Sequence, residues 1–207
     1  ISANQILVLL YWYLHTYKGW SGPVIRNLAT THMLDAMAKD MGEQCIEVPV
    51  GFKYISSGID QYNAVLGGES SGGLTVRGHI HGKDSIYAAS LFVEMLAVTG
   101  KTAHELFENL KSRYGSYEMV ECNLTFNSEE KDKYQKAIFK EHKLPEFYND
   151  IVRVSYEDGC KVYFDDDSWV ICRFSGTESL LRIFAEASSK ETAQRYIDAF
   201  NEFFKNV

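Results

Sequence analysis

Residues 169–186 read WVICRFSGTESLLRIFAE, two β-prone apolar runs on either side of a short polar loop. Apolar runs of this length, bounded by a Ser/Gly/Thr cluster, predict two strands joined by a turn. The loop begins at Arg173, and a second guanidinium, that of Arg182, lies on the returning strand. The stretch therefore predicts a strand-loop-strand unit near the C-terminus with two arginines at its polar end.

The chemistry of this loop suits a dianion. An arginine presents a planar fork of donors that matches phosphate oxygens. Ser175 and Thr177 add hydroxyl donors, and Gly176 lets backbone N–H groups approach an anion without an intervening Cβ. On these residues alone, a polar hairpin turn with an arginine salt-bridged to Glu178 is an equally good interpretation.

The region around this stretch is rich in predicted strands from about residue 116 onward. Strands are predicted at 119–126, 151–156, 160–164, 169–173 and 181–185, and helices at 129–140 and 190–204. Turn residues separate consecutive strands, which favours antiparallel pairing. Residues 117–207 are therefore predicted to form a small α+β domain with a mainly antiparallel sheet.

Residues 1–116 show a different pattern, in which strands alternate with helices. Helices are predicted at 4–17, 33–41, 53–60, 84–99 and 102–114, and strands at 24–28, 45–48 and 64–66. This alternation predicts an α/β domain with a parallel sheet. Ligands of such sheets bind at the carboxyl ends of the strands. The strand exits at 29–32, 49–53 and 67–73 are therefore expected to converge at one edge.

Composition narrows the classes of partner. The chain has 207 residues, 45% of them hydrophobic, which is enough to form a core. Its net charge of −7 argues against nucleic acid or an anionic membrane as a binding partner. The apolar run 6–14 is shorter than the roughly 20 residues that span a bilayer, which predicts a buried helix. Four scattered cysteines without metal or disulfide spacing fit a reducing, cytoplasmic setting. Cys160 and Cys172 could face each other across a hairpin, and buried thiols are the preferred interpretation of this pair.

Four motifs resemble, in the same order along the chain, landmarks of the α-D-phosphohexomutase superfamily (phosphoglucomutases and phosphomannomutases). They lie at 50–55 (VGFKYI), 67–73 (GGESSGG), 78–84 (GHIHGKD) and 173–178 (RFSGTE). The family usually has proline after the Thr-Glu pair, where this chain has Ser179. The resemblance covers most of the chain and identifies it with the third and fourth domains, the C-terminal half, of a four-domain enzyme.

The resemblance implies two substrate-binding loops. The implied phosphate ligands are Arg173, Ser175, Gly176, Thr177 and Arg182. In the sugar-binding loop, Glu69 and Ser71 match the positions that contact the 3- and 4-hydroxyls of a hexose, and Gly68 and His79 are assigned to the same sugar cleft. Because Glu69 stands among glycines and serines, its carboxylate is expected on open backbone. The alternative is an ordinary Gly-rich turn with a solvated glutamate.

Two further residues are candidates for catalysis. Lys53 has apolar sequence neighbours, a setting that favours the neutral amine and would allow proton exchange with a sugar hydroxyl. Its alternatives are a solvated helix face or Schiff-base chemistry. His32 resembles a family position near the transferred phosphoryl group, although a histidine simply placed near a helix cap is also plausible. His79 and His81 lack the further ligands that a metal site needs, so they are assigned to the cleft.

The resemblance also implies what lies outside the chain. Family members interconvert hexose 1-phosphates and hexose 6-phosphates through a phosphoserine and a hexose 1,6-bisphosphate intermediate, with Mg²⁺ held by an acidic loop. Neither the serine loop nor the acidic loop occurs in these 207 residues. The implied partners are the N-terminal domains of the same enzyme and a hexose phosphate substrate. The segment alone is expected to bind sugar phosphates weakly without turnover. A non-catalytic sugar-phosphate-binding module is the alternative.

Overall fold

The computed structural model describes residues 1–176 and 178–207. These residues divide into two compact units, Ile1–Gly115 and Ser116–Val207. Each unit has its own sheet.

The first unit contains a four-stranded sheet in the order β2-β1-β3-β4. The strands are β1 (Val24–Asn27), β2 (Cys45–Val48), β3 (Leu66–Gly68) and β4 (Leu74–Val76). Strand β1 pairs in parallel with both β2 and β3, whereas β4 runs antiparallel to β3. The predicted parallel α/β architecture is confirmed. Strand β4 was not predicted, because three residues are too few to show a hydrophobic period.

Five helices accompany this sheet. They are α1 (Ala3–Thr16), α2 (Met33–Asp40), α3 (Phe52–Tyr62), α4 (Ser85–Thr99) and α5 (Ala103–Tyr114). The first turn of α5 is fixed by a reciprocal capping box, in which the Thr102 hydroxyl accepts from the Glu105 N–H at 3.2 Å and the Glu105 carboxylate accepts from the Thr102 N–H at 2.8 Å. Such a cap satisfies two donors that the helix itself leaves unpaired.

Helix α1 forms much of the core of the first unit. Its buried residues are Leu7, Val8, Leu9, Leu10, Tyr11, Tyr13 and Leu14. A helix that is apolar on nearly all sides must be enclosed on nearly all sides, so the prediction of a buried helix is confirmed. Within the part of the chain that the structure describes, no helix combines the length and apolar character needed to cross a bilayer.

The second unit contains a five-stranded antiparallel sheet in the order β5-β9-β8-β7-β6. Its strands are β5 (Glu118–Thr125), β6 (Ile151–Ser155), β7 (Cys160–Phe164), β8 (Trp169–Phe174) and β9 (Leu180–Ala187). Helix α7 (Lys190–Lys205) packs on β5, β8 and β9. The α+β prediction is confirmed.

The charged helix predicted at 129–140 is regular only in its first part. Helix α6 (Ser128–Gln135) continues as a π-helical turn, Lys136–Lys140. In this wider turn Ala137 and Ile138 are buried. Charge patterning does not distinguish α from π geometry, so the change was not predictable from the sequence.

Cys160 and Cys172 are direct partners across the β7–β8 pair. Both are buried free thiols, and burial, followed by the hydrogen bond with Cys160, raises the pKa of the Cys172 thiol well above its usual value. The prediction of buried thiols is confirmed for this pair, whereas Cys45 and Cys122 are partly exposed.

Candidate functional site

The Gly-rich loop of the first unit starts within strand β3. Gly67 and Gly68 are buried there, and a Cβ at Gly68 would lie only 2.2 Å from Cδ2 of Leu7. At Gly67 an added Cβ would lie 2.6 Å from Cγ2 of Ile55. These glycines are therefore required for close packing of helices against the strand. This gives Gly68 a structural reason to be glycine, in addition to its assignment to the sugar cleft.

Glu69 leaves the strand end with its carboxylate directed into the protein. The residue is only 4% exposed. Its Oε1 accepts from the Asn27 side-chain amide at 3.2 Å and from the Gly51 N–H at 3.3 Å. A buried carboxylate needs such partners, because burial without them is costly. The expectation of a carboxylate on open backbone was wrong. The loop tip behind it, at Ser71, is exposed.

The second carboxylate oxygen of Glu69 is paired with Lys83, whose Nζ lies 3.1 Å away. The Lys83 side chain lies over Gly73, where an added Cβ would be 2.5 Å from its Cε, and its Nζ is 5.2 Å from the Phe52 ring centroid. Sequence analysis did not assign Lys83 a role. The signal that could have identified it is the Gly-Lys-Asp end of the motif at 78–84 together with the acidic residue of the Gly-rich loop.

Hydrogen bonds connect the three strand exits, as the sheet topology predicts. The Gly51 N–H joins the β2 exit to Glu69, and the Ser70 N–H donates to Thr30 Oγ1 of the β1 exit at 3.0 Å. Asn27, the last residue of β1, also contacts Glu69. The three loops therefore form one polar edge in the first unit.

Lys53 lies in the first turn of α3, immediately after the β2 exit. Its side chain is exposed, and its Nζ lies 4.8 Å from the Tyr54 ring centroid. The apolar surroundings expected for Lys53 are therefore not found. The helical register explains the difference, because Ile55 and Ile59 of the same helix are buried and Lys53 does not share their face.

His32 precedes the first residue of α2, which agrees with the prediction that it begins a helix. Its Nε2 is 3.8 Å from Oε2 of Glu47. That carboxylate also accepts from the buried Arg26 at 2.6 Å, and Arg26 contacts Asp35 through two further hydrogen bonds of 2.6 and 2.8 Å. Burial opposes the charge on Arg26, but Asp35 and Glu47 hold its pKa well above the usual value. His32 thus lies at the border of a buried ion network.

His79 is held at the start of α4. Its Nε2 is 3.0 Å from Oδ2 of Asp84, and its ring stacks on Tyr87 at a centroid distance of 3.9 Å. The Asp84 carboxylate accepts from the Tyr87 N–H and from His79, which together lower the pKa of Asp84 below its ordinary value of 3.8. His81 pairs separately with Asp60 at 3.2 Å. The two histidines therefore have different partners.

The arginines of the second unit are direct neighbours across the β8–β9 pair. Arg173 is opposite Arg182 in the register, so both side chains project from the same face of the sheet. Arg173 Nε donates to Oδ1 of Asp158 at 2.7 Å, and Arg182 Nη2 donates to Oε2 of Glu178 at 2.6 Å. The arginine–Glu178 salt bridge of the alternative interpretation is thus present, but it is made by Arg182.

Asp158 reaches Arg173 because of a tight turn at the start of β7. Gly159 has a φ of +101°, and a Cβ there would be 2.6 Å from the Cys172 carbonyl oxygen. Only glycine combines this left-handed conformation with such a close approach. The turn therefore places a carboxylate beside the end of β8.

The loop between the two arginines is partly ordered by its own backbone. The Ser175 N–H donates to the Leu180 carbonyl at 2.8 Å, and the Ser175 hydroxyl accepts from the Glu178 N–H at 3.2 Å. Gly176 is exposed, and an added Cβ would meet no other described residue within 4 Å. Thr177, the remaining predicted phosphate ligand, lies outside the described residues.

No metal centre is found in the part of the chain that the structure describes. Residues 1–176 and 178–207 contain no cluster of three or more His, Cys, Asp or Glu side chains arranged to hold an ion. The residues described do not fit a Mg²⁺ site.

Comparisons with known proteins place both units in one family. Residues 2–114 match the model of the phosphoglucomutase/phosphomannomutase α/β/α domain III, and residues 121–203 match that of the C-terminal domain. A phosphoglucomutase/phosphomannomutase of Thermococcus kodakarensis is 31% identical over 86% of this chain and 36% of its own length.

Solved structures agree on the fold. A phosphoglucomutase/phosphomannomutase family protein of Burkholderia thailandensis has a TM-score of 0.74 at 20% identity, over 100% of this chain and 42% of its own. The Aspergillus fumigatus N-acetylphosphoglucosamine mutase, solved with GlcNAc-6P and magnesium, has a TM-score of 0.57 at 13% identity. The match covers 94% of this chain and 45% of the mutase chain. The chain spans less than half of each protein. It belongs to the phosphoglucomutase/phosphomannomutase family, of which it carries domain III and the C-terminal domain.

Proposed function

We propose that the whole protein is a phosphohexomutase that interconverts hexose 1-phosphates and hexose 6-phosphates. In this proposal the phosphoryl group is carried by a phosphoserine outside this chain, and the two units supply the sugar-binding and phosphate-binding loops. The Mg²⁺ ion would be held by the N-terminal domains, with a hexose 1,6-bisphosphate as intermediate. Reduced thiols and a phosphorylated metabolite as substrate support a cytoplasmic location.

The observation that carries the proposal is the register pair Arg173 and Arg182. Like charges directly opposite each other on a sheet are destabilising unless anions neutralise them. Asp158 contacts the Arg173 guanidinium through Nε, and Glu178 contacts the Arg182 guanidinium through Nη2. A phosphate dianion placed between the two guanidinium groups would accept hydrogen bonds from both. Additional ligands would be Ser175, Gly176 and Thr177.

The first unit supports the sugar-binding half of the proposal. Glu69, held by its amide and lysine partners, would accept from the vicinal 3- and 4-hydroxyls of the hexose, with Ser71 exposed beside it. Gly68 would contribute through the backbone of β3, and His79 would line the cleft. Lys53 is the proposed proton-transfer group, and His32 is proposed to lie near the transferred phosphoryl group. Lys53 follows the β2 exit, which the Gly51 N–H joins to Glu69, and His32 lies on the β1 exit, where Thr30 Oγ1 accepts from the Ser70 N–H.

A binding experiment tests the phosphate half directly. Titration calorimetry of the 207-residue chain with glucose 1-phosphate should give weak binding, and Arg173→Ala should weaken it by about ten- to a hundredfold, since charge-assisted hydrogen bonds are the strong ones. Arg195→Ala in α7, outside the loop, is the control. Unchanged affinity of Arg173→Ala would contradict the phosphate assignment.

An activity experiment tests the reaction. The full-length gene product should interconvert glucose 1-phosphate and glucose 6-phosphate, or the corresponding mannose phosphates, in a coupled assay with Mg²⁺. The 207-residue chain alone should show binding without turnover. A full-length product that binds these compounds but catalyses no interconversion would favour the non-catalytic binding module instead.

A further inference from the structure

The β1 exit holds two fully buried polar side chains that face the sugar-binding loop. Asn27 is 3% exposed and Thr30 is 0% exposed. Neither belongs to the motifs that identified the family. Buried polar groups of this kind are retained where their hydrogen bonds are satisfied, and here the partners include the loop that carries Glu69.

The hydrogen bonds form a directed chain. The Ser70 N–H donates to Thr30 Oγ1 at 3.0 Å, and the Thr30 hydroxyl then donates to Asn27 Oδ1 at 2.7 Å. The Ala29 N–H also donates to Asn27 Oδ1, at 3.0 Å. These two donors fix the orientation of the Asn27 amide, because its oxygen must face them. The Nδ2 donor is thereby directed at Oε1 of Glu69, 3.2 Å away.

We propose that Asn27 and Thr30 are positioning residues that set the sugar specificity of the Glu69 loop. The inference rests on the proposed function and goes beyond it by naming groups that do not touch the substrate. Thr30 fixes the backbone immediately after Glu69, and Asn27 fixes its carboxylate. Lys83 also contacts that carboxylate, but its side chain is 54% exposed. It therefore restrains Glu69 less firmly than the buried Asn27 amide does.

Two substitutions separate the parts of this chain of hydrogen bonds. Thr30→Val keeps the shape of the side chain but removes both the acceptor for the Ser70 N–H and the donor to Asn27. Asn27→Asp keeps the acceptor for the Thr30 hydroxyl and replaces the donor to Glu69 with a carboxylate oxygen. Thr30→Ser retains the hydroxyl and is the conservative rescue. Asn109→Asp makes the same amide-to-acid change on the exposed face of α5 and is the matched control.

The first measurement does not depend on mutase activity. Amide hydrogen exchange of the peptide covering residues 67–73, without substrate, should accelerate about tenfold in Thr30→Val, because the Ser70 N–H loses its acceptor. Thr30→Ser and Asn109→Asp should remain within twofold of the parent. Unchanged exchange in Thr30→Val would overturn the role of Thr30 whatever the enzyme does.

The second measurement uses the full-length enzyme and determines its specificity for the 3-hydroxyl of the sugar. The ratio of kcat/KM for glucose 1-phosphate to that for 3-deoxyglucose 1-phosphate reports the contact made with the 3-hydroxyl. This ratio should fall about tenfold in Thr30→Val and Asn27→Asp, mainly through KM, whereas inhibition by inorganic phosphate should not change. A merely structural defect would lower kcat for both substrates equally and would preserve the ratio.

The two measurements distinguish the possible failures. If loop exchange accelerates but the parent enzyme neither binds nor converts hexose phosphates, the mutase proposal fails and the positioning of the loop stands. If the parent is an active mutase and both variants keep the parental ratio, the positioning inference is overturned. Should the buried charge of Asn27→Asp prevent folding, as circular dichroism would reveal, Thr30→Val carries the test alone.

Discussion

Replacing two glycines by alanine should have opposite consequences in the two loops. At Gly68 an added Cβ would lie 2.2 Å from Cδ2 of Leu7, 3.1 Å from its Cδ1 and 3.2 Å from the Gly73 carbonyl oxygen. Leu7 is almost fully buried in α1, so it cannot swing into solvent. At Gly176 the added methyl group would meet no other described residue within 4 Å.

The magnitudes follow from two opposing terms. Overpacking a core lowers the free energy of unfolding by about 1–3 kcal/mol. Replacing glycine by alanine reduces the conformational entropy of the unfolded chain, which raises the free energy of unfolding by about 0.4–1 kcal/mol where the backbone conformation suits alanine. Gly68→Ala should therefore lower the free energy of unfolding of the first unit by about 1–2 kcal/mol. Gly176→Ala should leave the stability of the second unit unchanged or slightly higher, while weakening phosphate binding, since the added methyl group occupies the approach to the anion.

For Gly68→Ala the assay is urea unfolding followed by tryptophan fluorescence in a Trp169→Phe background, in which the remaining tryptophans, Trp12 and Trp20, both belong to the first unit. For Gly176→Ala it is the same measurement in a Trp12→Phe, Trp20→Phe background, in which Trp169 of the second unit remains. A Leu7→Ala, Gly68→Ala double variant supplies the check on mechanism. If Leu7 is the group that clashes, removing its side chain relieves the strain, and the double variant should be more stable than the sum of the single effects predicts. Strict additivity would refute the packing explanation of Gly68.

Three further outcomes are expected. Lys83→Met should lower stability by about 1 kcal/mol, as measured by urea unfolding, because Glu69 loses a partly exposed ionic partner but keeps its neutral donors; a stabilised variant would contradict this. Hydrogen bonds made in the folded state lower the pKa of Asp84. The ionised carboxylate therefore stabilises the fold fully at pH values above its pKa in the unfolded chain, and this contribution is lost as the pH falls through its pKa in the folded protein. Asp84→Asn should flatten the pH dependence of the free energy of unfolding below about pH 4. Glu178→Gln should tighten phosphate binding about two- to fivefold in calorimetry, because a carboxylate no longer competes for Arg182; weaker binding would mean that Glu178 orders the loop.

The fold was largely predictable because each unit carries a regular signal. Alternating helices and strands specify the parallel sheet, and the turn at Gly159 between apolar runs specifies a hairpin. Strand β4 and the π-helical turn were missed, since one is three residues long and the other differs from an α-helix only in its hydrogen-bond pattern. Local sequence does not encode either feature strongly.

The positions of the candidate residues at strand ends were predictable from the sequence, but the environments of their side chains were not. The motif places Glu69 correctly on a strand exit, yet its burial depends on Asn27, which is 42 positions away in the chain. For Lys53 the misleading signal was the apolar character of its immediate sequence neighbours. Helical periodicity would have corrected it, since Ile55 and Ile59 define the buried face of α3.

At the loop between Arg173 and Arg182, the two interpretations of the sequence are compatible with each other. Two arginines held opposite each other repel when nothing lies between them, so a protein that presents such a pair must also remain stable before the anion arrives. Asp158 and Glu178 meet this need through short contacts with the two guanidinium groups, of 2.7 and 2.6 Å. Because the Arg182–Glu178 pair is exposed, its net contribution is expected to be below about 1 kcal/mol, small enough for a dianion to displace. Under the proposed function, the salt-bridged hairpin and the phosphate-bound loop are the empty and occupied states of the same segment.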